Sequence, residues 1–198
     1  MKEEILKILP NSPSKTKLAH ITTAAKPQKD KRYVEKDTKL MSEVGFDVTE
    51  IDIEGKTQSQ LRKILQVFDV IYVQGGNTFY LLKVIQETGF DKVVKDLIDR
   101  EVIYIGVSAG SIIAGPTIET AGWKYVEPDR NFVKLKDLTA MNLVPFNIFV
   151  HYVPRHKVFV AKQAAKSKYP LKIITDSQAI LVVDNKFQLI GKGREIKI

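Results

Sequence analysis

The sequence predicts an α/β fold: a doubly wound, mostly parallel sheet with helices on both faces. Two observations carry this. Between residues 18 and 107, short apolar runs alternate with segments of helical period, the pattern of repeated β-α units. Two glycine-rich turns, Gly75-Gly76 and Gly106-Val107-Ser108-Ala109-Gly110, each follow an apolar run. Open parallel sheets bind ligands beyond the carboxyl ends of their strands, where both turns fall.

Residues 2–9 form a short helix with Ile5, Leu6 and Leu9 on one face, broken by Pro10-Asn11-Ser12-Pro13. Residues 18–23 are a buried strand containing His20. A helix over 30–44 turns Tyr33, Val34, Leu40, Met41 and Val44 inward and stops at Gly45. An alternating strand over 46–53, a helix over 58–67 and a third strand over 69–73 lead into Gly75-Gly76-Asn77-Thr78. Helices over 78–87 and 90–99 precede the fourth strand, 102–107, and a further helix starts at Ala109. Residues 119–147 mix Gly, Pro, Trp and charge with short apolar pairs, an irregular excursion over the site. Ile148-Phe149-Val150 leads into His151, and 156–168 is a basic helix. Short strands over 172–175, 179–183, 187–190 and 195–198 end the chain, with Asp184-Asn185 as a hairpin turn.

At 198 residues the chain is a single domain, residues 1–198, long enough to bury a real core. Its 44% apolar and 27% charged content is ordinary for a soluble protein, and no run approaches the roughly 20 apolar residues of a membrane span. The N-terminus carries acids and lacks an apolar core, unlike a signal peptide. The absence of cysteine excludes disulfides, thiol catalysis and Cys-ligated metals, and agrees with a cytoplasmic home. The net charge of +8 sits at the two ends, around an acidic middle. The lysines are scattered and do not alternate with aromatics, so the basic balance reads as a solvated surface and not a nucleic-acid footprint.

Gly106-Val107-Ser108-Ala109-Gly110, between a strand and a helix, has the form of a nucleophile elbow. Its alternative is a plain Gly/Ser-rich turn. A serine hydroxyl needs a base to take its proton, and the chain offers three histidines. His20 lies inside a strand, where packing is its role, and His156 opens a basic helix, where it would be solvent-exposed. His151, at a strand end like Ser108, is the base by position. A carboxylate should orient that imidazole. Asp176 follows Ile173-Ile174-Thr175, with Glu119 and Asp129 as rival acids in the excursion. Ala109 N–H is one oxyanion donor, and Gly75 or Gly76 N–H the second, since glycine lets the backbone approach a substrate. Asn77 or Thr78 would otherwise cap the next helix.

These residues resemble the S51 serine peptidases, the group of aspartyl dipeptidase (peptidase E) and cyanophycinase. The likeness rests on Tyr72-Val73-Gln74-Gly75-Gly76-Asn77-Thr78, Tyr104-Ile105-Gly106-Val107-Ser108-Ala109-Gly110-Ser111, His151-Tyr152 and, more loosely, Thr175-Asp176-Ser177-Gln178-Ala179-Ile180. It implies a fold akin to class I glutamine amidotransferases, with Ser108 as nucleophile, His151 as base, and Gly76 and Ala109 as oxyanion donors. Gly75, Asn77 and Thr78 would then line the substrate site. Two departures stand out. Asp176 falls where the family carries a glutamate, so the imidazole must sit closer or a neighbouring acid must help. The chain also begins late, without the strand that usually precedes the helix at residue 2, which leaves an exposed sheet edge for a second subunit of a homodimer to cover. Recognition of an aspartyl substrate would need a cation, and Arg155 is nearest His151 in sequence; a solvated arginine is its alternative. The expectation is a serine peptidase of small peptides that needs neither metal nor organic cofactor. The alternatives are a non-catalytic α/β binding module retaining the elbow, and an anion or nucleic-acid binder using the basic ends.

Overall fold

Strand β1 (Lys17–Ile21) and strand β3 (Val70–Val73) form the centre of a parallel sheet of order β2-β1-β3-β4, with β2 (Asp47–Ile51) and β4 (Ile103–Gly106) at its edges. The computed structural model describes residues 2–123, 129–184 and 186–198. Successive side chains of an inner strand point to opposite faces, so each inner strand feeds two cores. Ala19, Ile21, Ile71 and Val73 join Leu81, Leu82, Ile85, Phe90 and Val94 from α4 (Thr78–Thr88) and α5 (Phe90–Ile98). Leu18 and Val70 face the other way, with Met41 of α2 (Arg32–Val44), Phe46, and Ile5 of α1 (Lys2–Ile8). His20 shares that second face and lies between α2 and Tyr72.

Local signals fix the helix ends. Gly45, left-handed at φ 112°, sends its N–H back to Met41 and Ser42 and ends α2. Thr57 and Gln60 form a reciprocal capping box at the start of α3 (Gln58–Leu65). The Asn77 side chain accepts the Tyr80 N–H at 2.8 Å to cap α4.

After α6 (Ala109–Ile112) the chain leaves the sheet. A 3-10 turn at Glu119–Trp123 packs on β5 (Asn147–Phe149), where the Thr120 hydroxyl donates to the Ile148 carbonyl at 2.7 Å. β5 pairs in parallel with β6 (Leu171–Ile173) across α7 (Lys157–Ala164). The pairing continues past the strand ends, with Tyr152 N–H bonding Ile174 O at 3.1 Å. β7 (Gln178–Val183) and β8 (Lys186–Gly191) close the fold as an antiparallel hairpin.

The strands are mostly parallel, but among the described residues they form three separate sheets: four strands, the β5-β6 pair and the hairpin. Residues 195–198 are not a strand; Lys172 holds Glu195 at 2.7 Å and Ile196 packs near Phe149, so the tail runs as irregular chain. The second strand is shorter than 46–53. Phe46 turns into the core, while the Asp52 carboxylate takes the Thr23 hydroxyl (2.8 Å) and Lys26 (2.7 Å) instead of continuing a ladder. The basic helix opens with a 3-10 turn at Pro154–His156 and ends at Ala164. In the hairpin turn Asp184 is left-handed at φ 49°, and Asn185 lies outside the described residues. Among the described residues no helix is long and apolar enough to cross a membrane.

Candidate active site

β4 delivers the chain to Ser108 with its backbone at φ 52°, ψ −109°. A non-glycine residue holds such a conformation at a cost of about 1–3 kcal/mol. The surroundings enforce it. A Cβ at Gly106 would stand 2.3 Å from the Gly110 carbonyl oxygen, and one at Gly110 would stand 2.2 Å from the Val73 oxygen, so neither position admits a side chain. Ser111 Oγ donates to the Gly106 carbonyl and Tyr104 OH to the Gly110 carbonyl, each at 2.6 Å. Burial pushes the Tyr104 phenol far above its ordinary range, so it remains a donor. Ser108 opens α6, yet its hydroxyl makes no cap bond to that helix, which leaves it available to an outside partner.

That partner is His151, two residues beyond β5 and itself left-handed at φ 58°. Its Nε2 lies 2.9 Å from Ser108 Oγ, and its Nδ1 lies 2.5 Å from Asp176 Oδ1. A carboxylate can only accept, so Nδ1 carries the proton and Nε2 faces the hydroxyl as an acceptor. The loop that carries Asp176 is tied by Gln178, whose side-chain oxygen accepts from Thr175 N–H (3.1 Å) and Thr175 Oγ1 (3.2 Å). The imidazole and carboxylate are open to solvent, at 46% and 79% of their side-chain surface.

The Gly75-Gly76 turn faces this group. The position of a Gly75 Cβ would lie 3.0 Å from Ser108 Cβ and 3.6 Å from its Oγ. Gly76 has φ 149°, and a side chain there would run into the Ala24 carbonyl. Among the described residues, neither the Gly76 nor the Ala109 amide donates to a protein acceptor. A base-paired hydroxyl beside two uncommitted backbone donors is an arrangement suited to acyl transfer. Among the described residues no three His, Asp or Glu side chains converge as a metal-holding group.

The match to peptidase family S51 covers residues 1–190. The chain belongs to peptidase family S51. It is a serine-type peptidase. This S51 peptidase is 32% identical over 176 residues to an uncharacterized peptidase of Pasteurella multocida, covering 87% of this chain and 84% of that protein. It is 30% identical over 185 residues to a peptidase E of Nostoc sp., covering 88% and 72%. A crystal structure from Listeria monocytogenes EGD-e, of a protein provisionally named peptidase E, superimposes with a TM-score of 0.83 at 27% identity, over 98% of this chain and 94% of that one.

The remaining side chains singled out in the sequence of this S51 peptidase are spread over other tasks. Asn77 caps α4 and donates to the Arg130 carbonyl at 3.0 Å, and Thr78, fully buried, gives its N–H (3.0 Å) and hydroxyl to Asp129. The excursion is thereby moored to the start of α4 at residues 129–130. Of the rival acids, Asp129 is held by Thr78, and Glu119 accepts from Asn147 (2.6 Å) and Ser167. Asn147 begins β5 while His151 follows its end, so Glu119 stands at the wrong end of the strand to orient the imidazole. His20 is fully buried and hydrogen-bonded on both ring nitrogens; burial pushes its pKa down. His156 is not solvent-exposed as its position in a basic helix suggested. It is 7% exposed, with its ring set edge-on to Phe149 and Tyr152. Arg155 is exposed and makes no ion pair among the described residues. Tyr104, Ser111 and Gln178 stand in the sequence only as members of the motifs quoted above; their supporting contacts come from the fold, since motif spacing does not encode them.

Proposed function

We propose that this S51 peptidase hydrolyses small peptides, dipeptides among them, through a Ser108-His151-Asp176 triad. Ser108 Oγ attacks the scissile carbonyl carbon as its proton passes to His151 Nε2. Asp176 holds the Nδ1–H and stabilises the imidazolium. The oxyanion accepts from the Gly76 and Ala109 amides. When the C–N bond breaks, His151 returns the proton to the leaving amine, and water then clears the acyl-enzyme by the same path. Gly75 lines the acyl side, and Arg155 is assigned to a substrate carboxylate. Asn77 and Thr78 shape the pocket by fixing α4 and the 129–130 segment.

The observation that carries this reading is the unbroken line from Ser108 Oγ to His151 Nε2 (2.9 Å) and from His151 Nδ1 to Asp176 Oδ1 (2.5 Å). A panel of dipeptides and dipeptide amides, followed by amine release, tests it. Turnover should fall about 10⁴-fold or more in Ser108→Ala while circular dichroism stays unchanged. An alanine variant that still cleaves the panel ends the proposal.

A further inference from the structure

The Gly75–Gly76 peptide, which carries the proposed oxyanion donor, is held from behind by α2. Tyr33 directs its hydroxyl at the Gly75 carbonyl oxygen, 3.4 Å away. The peptide is trans and planar, so its C=O and N–H point in opposite directions. A hydroxyl that fixes the carbonyl on one side therefore fixes the Gly76 N–H on the other. One residue earlier, Gln74 is 1% exposed and its N–H bonds the Ile21 carbonyl at 3.0 Å. Its side-chain nitrogen donates to Asp37 Oδ2 at 3.0 Å, and its oxygen faces His20 Nε2 at 2.8 Å. A carboxylate only accepts, so Asp37 decides which way the Gln74 amide is turned. Tyr33 and Asp37 are four residues apart on α2 and share one face of it. Two consecutive glycines have no side chains to restrain them, and this clamp supplies the restraint.

We propose that Tyr33, together with Asp37 acting through Gln74, is a positioning group for catalysis: α2 aims the Gly76 amide at the oxyanion. The inference rests on the reading of Gly76 as oxyanion donor given above. The test is saturation kinetics of labelling by a fluorescent fluorophosphonate. Ser108 Oγ bonds phosphorus as fluoride leaves, and the phosphoryl oxygen calls on the same donors. Wild type, Ser108→Ala, Tyr33→Phe, Asp37→Ala and Asp37→Asn are compared, with melting temperatures measured alongside.

Tyr33→Phe and Asp37→Ala should each lower the limiting rate about tenfold, with the half-saturating concentration little changed, because the donor is turned and not removed. Asp37→Asn keeps an acceptor for Gln74 and should label near the wild-type rate. A purely structural role would move the melting temperature and leave the limiting rate of the folded fraction unchanged. Tyr33→Phe and Asp37→Ala labelling at the wild-type rate overturns the inference alone. Wild type labelling no better than Ser108→Ala overturns the reading of Ser108, and the inference with it.

Discussion

A methyl group at position 76 would lie 2.1 Å from the Ala24 carbonyl oxygen, 2.3 Å from its carbon and 2.8 Å from Ala25 N. Real Cβ atoms essentially never approach closer than 3.0 Å, so Gly76→Ala must open a gap of about 0.9 Å. Ala24 cannot retreat, because its oxygen accepts the Asn77 N–H at 2.9 Å and residues 23–25 form a buried 3-10 turn. The 75–76 peptide must move instead, from a φ of 149° that alanine also resists. A displacement of about 1 Å at a catalytic donor costs on the order of 100-fold, and loss of the donor about 10²–10³-fold. Peptide turnover by Gly76→Ala should therefore fall about 100-fold, mainly in kcat, and urea denaturation should show a loss of about 1–3 kcal/mol. Gly122→Ala is the control, since among the described residues nothing lies within 4 Å of a Cβ there. A folded Gly76→Ala enzyme with wild-type kcat would refute the assignment of this amide to the oxyanion.

Ser108→Gly should be about 1 kcal/mol more stable than Ser108→Ala in urea, since only glycine relieves the strain at φ 52°; equal midpoints would remove strain from the account. Asp176→Asn should slow turnover about 10²–10⁴-fold, because an amide can offer its own N–H to Nδ1 and favour the wrong tautomer. Glu119→Gln should leave turnover unaffected, and steady-state rates showing the reverse order would make Glu119 the orienting acid. Burial, with a smaller contribution from Arg155, holds the His156 pKa below the ordinary imidazole value of 6.5. Its contribution to stability is thus complete above that value and is lost as pH falls through the lower folded-state pKa. His156→Leu should flatten part of the decline between about pH 7 and 5 in paired urea melts, and parallel slopes would show that His156 does not titrate on unfolding.

The turn around Ser108 was legible because its constraint is local: a strand must become a helix within a few residues, and only small residues allow that. His151 and Asp176 were legible by position at strand ends, although they lie 43 and 25 residues from their partners and no periodicity sets the distances. The run Gly75-Gly76-Asn77-Thr78 was harder. Asn and Thr before a helix suit a substrate contact or a cap equally well, and only the arrival of Asp129 and Arg130 turns their side chains inward. His156 was misplaced because a basic helix looks solvated, whereas Phe149 and Tyr152 cover its first turn. The tail at 195–198 has the alternation of a strand but joins no ladder among the described residues, and Lys172 and side-chain packing hold it instead.

The shorter acid at 176 poses a question that the sequence raises and the ladders answer. β5 and β6 run parallel, and the bond from Tyr152 N–H to Ile174 O carries their pairing beyond the strands, so the chain leaves both side by side at His151 and Thr175. From there an aspartate reaches Nδ1 at 2.5 Å. The proposed base and acid thus follow one two-stranded unit, while the proposed nucleophile follows an edge strand of the four-stranded sheet. The distance between the units is set by packing: Ile112 and Ile113 share one core with Met141, Phe146, Ile148 and Val150. Six described non-glycine residues have positive φ, and Ser108 and His151 are two of them. Such residues are a few per cent of any chain, so two of them meeting across a single hydrogen bond is a poor outcome for folding stability alone. Backbone strain of this kind clusters at functional sites, and its place where two side chains face each other supports assigning the chemistry to that contact.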